Sequence, residues 1–147
     1  MKRILPVFLT LLFLAGCAAQ PEENTYRQVT AGEAAAMMEE ESDYVILDVR
    51  TAAEYSEKHI PGALNIPNET IGSEDIPELP DKEQLILVYC RSGNRSKQAS
   101  EKLAKLGYTN IVEFGGINDW TDGTVSGVNE TDAKKAGSNV DTPSALP

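Results

Sequence analysis

The chain has 147 residues, with 13 Lys and Arg against 23 Asp and Glu, one histidine and two cysteines, and a formal charge of −10. So acidic a balance excludes a nucleic-acid-binding surface, which needs a basic face, and gives no electrostatic attraction to anionic lipid.

The chain opens with Met1-Lys2-Arg3, an apolar run from Ile4 to Leu14 broken by Pro6 and Thr10, and small residues before Cys17. A basic start, an apolar stretch too short to span a bilayer and a small-residue cleavage site make a secretory signal over residues 1–16. Leu14-Ala15-Gly16-Cys17 resembles the lipobox of bacterial lipoproteins. The resemblance implies cleavage before Cys17, a diacylglycerol on its thiol, and an exported protein that faces the extracytoplasmic side and meets the membrane through its lipid anchor only. Each buried CH₂ of such an anchor contributes about 0.8 kcal/mol. Removal of residues 1–16 takes away Lys2 and Arg3 and no carboxylate. It leaves 11 basic residues (13 less these two) against 23 acidic ones and a charge of −12. Lipidation of Cys17 would also leave Cys90 as the only free thiol and rule out an internal disulfide. With Cys17 set aside as a lipidation site, one histidine and one cysteine are left, too few for a zinc site built from three or four Cys, His or carboxylate ligands.

Residues 17–25 read as a lipidated terminus and polar spacer. Residues 26–121 are enough for one domain with one core. Residues 122–147, rich in Gly, Ser, Thr, Asn and Asp, read as a disordered tail. Within the domain, Thr30-Ala31-Gly32-Glu33 is a capping box before a helix ending near Glu41. Tyr44–Leu47 is a continuous apolar run, the pattern of a strand buried on both faces. Thr51-Ala52-Ala53-Glu54 caps a second helix reaching about Lys58, with Arg50 and Glu54 spaced as an ion pair four residues apart. His59-Ile60-Pro61-Gly62 is a turn, and the lone histidine is a turn residue rather than a catalytic base. Residues 63–66 form a short strand and Glu69–Ile76 a weak helix. Leu85–Tyr89 is a second buried strand, Ser96–Leu106 a helix stopped by Gly107, and Thr109–Glu113 a third strand. Phe114-Gly115-Gly116 then turns into a short helix carrying Trp120. Strands alternating with helices indicate an α/β domain on a mostly parallel sheet. In such sheets ligands bind beyond the C-terminal ends of strands.

Cys90 lies at such an end. It closes the Leu85–Tyr89 run and opens the loop Arg91-Ser92-Gly93-Asn94-Arg95-Ser96, which leads into a helix. A helix N-terminus offers unpaired N–H groups and the positive end of a dipole. Loop N–H groups curled around one point form an anion nest. Arg91 and Arg95 add charge. These factors favour a thiolate below the ordinary thiol pKa of ~8.5, and a thiolate is a nucleophile. A cysteine ending a strand also serves as inert packing, but inert packing needs no such loop.

Several stretches together resemble a single rhodanese-like domain spanning Tyr26 to Trp120. They are Asp48-Val49-Arg50 with Glu54-Tyr55, then His59-Ile60-Pro61-Gly62-Ala63, then Asn65-Ile66-Pro67. Val88 through Ser96 follow, and late Gly115-Gly116 with Trp120. The resemblance implies a five-stranded, mostly parallel sheet. It implies a sulfurtransferase in which Cys90 takes a sulfane sulfur from a small anionic donor such as thiosulfate. Cys90 would hold that sulfur as a persulfide and pass it to cyanide or a thiol acceptor. Residues Arg91, Ser92, Gly93, Asn94, Arg95 and Ser96 match the cradle of that persulfide, with Asp48, Arg50 and Glu54 as structural support. Such chemistry needs no cofactor and no metal, and a monomer suffices for it. Arg95 is read either as a donor-binding charge or as a brace for the loop carbonyls.

Two other functions compete. A persulfide relay or partner-binding module would use the same cysteine with a protein acceptor. A cysteine-dependent phosphatase or arsenate reductase would use a related loop. Phosphatase loops hold one more residue between the Cys and the Arg than the four here, Arg91 to Asn94, and this shorter loop suits a single sulfur atom better than a tetrahedral phosphate.

Overall fold

A computed structural model of the chain describes residues 25–127. The expectations for residues 1–16, Cys17 and the spacer to Asn24 therefore lie outside the described residues. Ten elements follow in order: strand β1 (Arg27–Gln28), helix α1 (Ala31–Glu40), β2 (Tyr44–Asp48), α2 (Ala52–Glu57), β3 (Leu64–Asn65), a 3-10 turn (Asn68–Thr70), β4 (Leu85–Cys90), α3 (Asn94–Lys105), β5 (Ile111–Gly116) and a second 3-10 turn (Ile117–Asp119). The five strands form one sheet in the order β1-β5-β4-β2-β3. Every pairing in it is parallel.

Both capping boxes form. The Thr30 hydroxyl accepts the Glu33 N–H while the Glu33 carboxylate accepts the Thr30 N–H, and Thr51 and Glu54 repeat the arrangement at α2. The strands sort the core by alternation. Leu85, Leu87 and Tyr89 of β4 pack with Ala34 of α1 and Tyr55 of α2. Ile86, Val88 and Cys90 point to the other face and pack with Ala99 and Leu103 of α3. Helices cover both faces, as a parallel sheet requires. The alternation carries a functional consequence: the side chain of Cys90 is delivered to the α3 side, and that of Tyr89 to the α2 side.

Three expectations change, and one strand was not foreseen. Glu69–Ile76 is not a helix. A single 3-10 turn ends at Thr70, and beyond it Ile71, Ile76 and Leu79 anchor an irregular segment in the core. The β5 strand does not stop at Glu113 but runs through both glycines to Gly116. It does so by a bulge, because Val88 pairs with Glu113 and Cys90 with Gly116. The two-residue edge strand β1 gave no sequence signal. Residues 122–127, expected in a disordered tail, lie against the domain: Val125 and His59 exchange backbone hydrogen bonds at 2.8 and 2.9 Å, and the Gly127 N–H reaches the Ser56 carbonyl. Residues 128–147 lie outside the described residues.

Candidate active site

The site is built where β4 ends and α3 begins. Gly93 makes the turn possible by taking φ 103° at the residue that caps α3, a conformation costly for any residue with a Cβ. Gly116 is required for a different reason. A Cβ there would stand 2.1 Å from the Arg91 carbonyl oxygen, so the loop can rest on β5 only where the side chain is a hydrogen.

Cys90 is 1 % exposed. Its Sγ lies 3.1 Å from the Gly93 N–H, which donates to it. Burial pushes the thiol pKa up, yet the net direction is down, because hydrogen bonds from Ser96 and from the Ser92 and Gly93 N–H groups outweigh it. The Ser96 hydroxyl has one proton and several claimants. It lies 2.6 Å from Glu113 Oε1, 2.9 Å from the Gly93 carbonyl and 3.3 Å from the Gly115 carbonyl. The sulfur is held by that hydroxyl together with the main-chain N–H groups of Ser92, Gly93 and Ser96. A packed, inert cysteine would show only the upward push of burial. Arg91, Ser92 and Asn94 are the exposed residues of the loop.

Two ion pairs flank the loop, and neither is the pair expected from spacing. Arg50 and Glu54 do not meet. Arg50 turns back onto Asp48, with its Nε 2.9 Å from Oδ1 and its Nη2 on Oδ2, and its Nη2 also donates to the Lys58 carbonyl at 2.7 Å. The Tyr89 hydroxyl donates to Asp48 at 2.7 Å and accepts the Ile60 N–H at 3.1 Å. Burial, then the Asp48 charge, raises the Tyr89 pKa. Asp48 therefore braces the strand residue next to Cys90. Glu54 instead binds Arg95 through both oxygens, at 2.7 and 2.8 Å. That guanidinium, helped by the Thr51 capping bonds, holds the Glu54 pKa at about 2. Arg95 thus braces α3 against α2, and not against the loop carbonyls. Arg91 is exposed and, among the described residues, makes no ion pair.

Glu113 has no counterpart among the expected site residues. It is 2 % exposed and lies under the loop, accepting from the Ser96 hydroxyl and, at 2.9 Å, from the Gly115 N–H. A carboxylate inside an otherwise apolar strand was the available signal. His59 is buried, stacks on Tyr55 at 3.8 Å and directs Nδ1 to the Tyr55 carbonyl at 2.8 Å. That is the structural part expected of it. No cluster of three or more potential metal ligands occurs among the described residues.

A family model described as "Rhodanese-like domain" matches residues 30–122. The thiosulfate sulfurtransferase PspE of Escherichia coli is 38 % identical over 73 residues, which are 50 % of this chain and 70 % of that protein. A sulfurtransferase of Allochromatium vinosum is 39 % identical over 79 residues, or 53 % of this chain and 72 % of its own. A solved structure titled "rhodanese with anions from E. coli" superposes with a TM-score of 0.53 at 36 % identity, covering 57 % of this chain and 99 % of that one.

Proposed function

The chain belongs to the rhodanese-like domain family, and from that premise we propose that it is a sulfurtransferase whose Cys90 carries sulfane sulfur as a persulfide from a small donor to a nucleophilic acceptor. The observation that carries this reading is the position of Cys90: a buried sulfur at the start of α3, with the Gly93 N–H directed at it and a pKa moved down despite burial. A thiolate in that position needs no neighbouring base, in keeping with a lone histidine committed elsewhere.

In the first half-reaction the Cys90 thiolate attacks the outer sulfur of the donor. With thiosulfate, a new S–S bond forms to Cys90, the donor's S–S bond breaks, and sulfite leaves with its electron pair. In the second, cyanide or a thiol takes the outer sulfur and the thiolate returns. The loop N–H groups would stabilise the anion in each resting form: thiolate, then persulfide. Asp48, Arg50 and Tyr89 hold β4, while Glu54 and Arg95 fix α3. Ser96 and Glu113 hold the loop floor.

A phosphatase reading is disfavoured by Arg95. Its guanidinium is engaged by Glu54 on two nitrogens and is not presented to a phosphate in the loop. Delivery to a protein acceptor differs only in the second half-reaction. Lipidation at Cys17 and an extracytoplasmic position complete the proposal; intact-mass analysis of the native protein would show acyl mass on the Cys17 peptide.

The deciding experiment is thiosulfate:cyanide transfer by wild type and Cys90→Ser, with mass spectrometry of the Cys90 peptide after donor treatment. Transfer by wild type alone, with one added sulfur on that peptide, is the expected result. Equal rates in the two proteins, or no sulfur gained from any donor, would falsify the assignment.

A further inference from the structure

The sequence offers two arginines beside Cys90, but the structure leaves only one of them free. Arg95 has its charge cancelled by Glu54 through two short bonds. The cleft beside the loop, about 170 Å³, is lined by Arg50, Glu54, Glu57, Lys58, Arg91, Ile117 and Asn118. Within it Arg50 is neutralised by Asp48, and Glu54 by Arg95. The charges left without an ion pair among the described residues are Arg91 and Lys58 against Glu57, a surplus of one positive charge. Glu69 adds a further negative field at Arg95, and the chain as a whole is strongly acidic. Such surroundings match a ligand of one negative charge or none and are poorly matched to a dianion.

Resting on the sulfurtransferase reading above, we infer that Glu54 selects the sulfur donor by charge: by occupying Arg95 it fits the site to a small organic hydropersulfide in preference to a dianion such as thiosulfate. The loading step balances without a further reactant. The Cys90 thiolate attacks the terminal sulfur of R–S–SH, a new S–S bond forms to Cys90, the donor's S–S bond breaks, RS⁻ leaves with the electron pair, and the proton stays on the transferred sulfur. Glu54 is a selectivity residue here. It does not touch the reacting sulfur, and it acts by removing one cation from the donor's path.

The test measures the second-order rate constant for loading Cys90 from two donors, thiosulfate and the hydropersulfide of mercaptoethanol, by mass spectrometry in single turnover. Glu54→Gln keeps an oxygen for the Thr51 cap and frees the charge of Arg95. We expect it to raise the thiosulfate constant about three- to tenfold and to change the hydropersulfide constant by less than about twofold. Arg95→Gln leaves Glu54 unpaired and should move thiosulfate the opposite way, with the double variant near the wild-type ratio. A second measurement needs no variant: in wild type the thiosulfate constant should stay flat or rise with added salt. Equal changes for both donors in Glu54→Gln, or a steep fall of the wild-type thiosulfate constant with salt, overturns the inference and leaves the sulfurtransferase reading standing. Failure of both donors to load wild-type Cys90 removes that reading and the inference with it.

Discussion

The two sides of the C-terminal end of β4 are built from different materials. On the α2 side, Tyr89, Asp48 and Arg50 form a closed network of side chains, buried and mutually bonded. On the α3 side, one residue further on, the groups gathered around Cys90 are chiefly main-chain N–H groups, the Gly93 N–H among them. A side-chain network specifies geometry but fails when one member is lost, since a charge is then left buried without its partner. A main-chain cradle loses a donor only to proline; any other substitution can only distort it. The difference separates residues that hold the frame from residues that would serve the proposed chemistry.

Substitutions on the two sides should therefore fail in different ways. The largest effect belongs to Cys90→Ser, which should abolish sulfur loading while leaving the urea midpoint close to wild type; retained loading would show that another group is the carrier. Next is Asp48→Ala on the frame side. Stranding Arg50 should cost about 3–5 kcal/mol in denaturant unfolding, and a cost below 1 kcal/mol would mean that the network is slack. Gly116→Ala attacks the cradle from below. A methyl group 2.1 Å from the Arg91 carbonyl must displace the loop, so about 2–3 kcal/mol of stability should go, together with the downward shift of the Cys90 thiol pKa. The pH profile of alkylation reports that shift.

Acid tests the outer brace more gently. The Glu54 pKa is about 2 in the fold against 4.5 ordinarily. A depressed carboxyl stabilises the fold fully above its unfolded pKa and loses that contribution as pH falls through the folded one. The Glu54–Arg95 pair should therefore contribute about 1–2 kcal/mol after allowance for its partial exposure, lost between pH 4.5 and about 2 and absent from the same titration of Glu54→Gln. The smallest effect on stability is expected for Arg91→Gln, within about 0.5 kcal/mol, because its side chain is exposed and makes no ion pair among the described residues. Slower loading from an anionic donor should be its main phenotype.

Much of the frame was legible in the sequence because it is local. Thr30 with Glu33 and Thr51 with Glu54 are contacts three residues long, and the apolar runs of β2 and β4 announce their burial directly. Cys90 was legible because its place at a strand end and its loop are contiguous. Arg50 was misassigned for an identifiable reason. The four-residue spacing rule holds for two residues inside one helix, whereas Arg50 precedes the Thr51 cap and Glu54 is already turned toward that cap. The true partner of Glu54 is 41 residues away, a distance no local pattern encodes. Glu113 and the second half of β5 were missed together, since Gly115-Gly116 suggests a turn when no neighbouring strand is in view to reveal a bulge.

The sheet's flanks have a consequence of their own. β1 and β3, the two outermost strands, are each two residues long. A growing fibril or a stray neighbour needs a long open ribbon of amide and carbonyl groups to zip onto, and these borders give it almost no purchase. Molecules with such borders should tolerate crowding without seeding one another's aggregation.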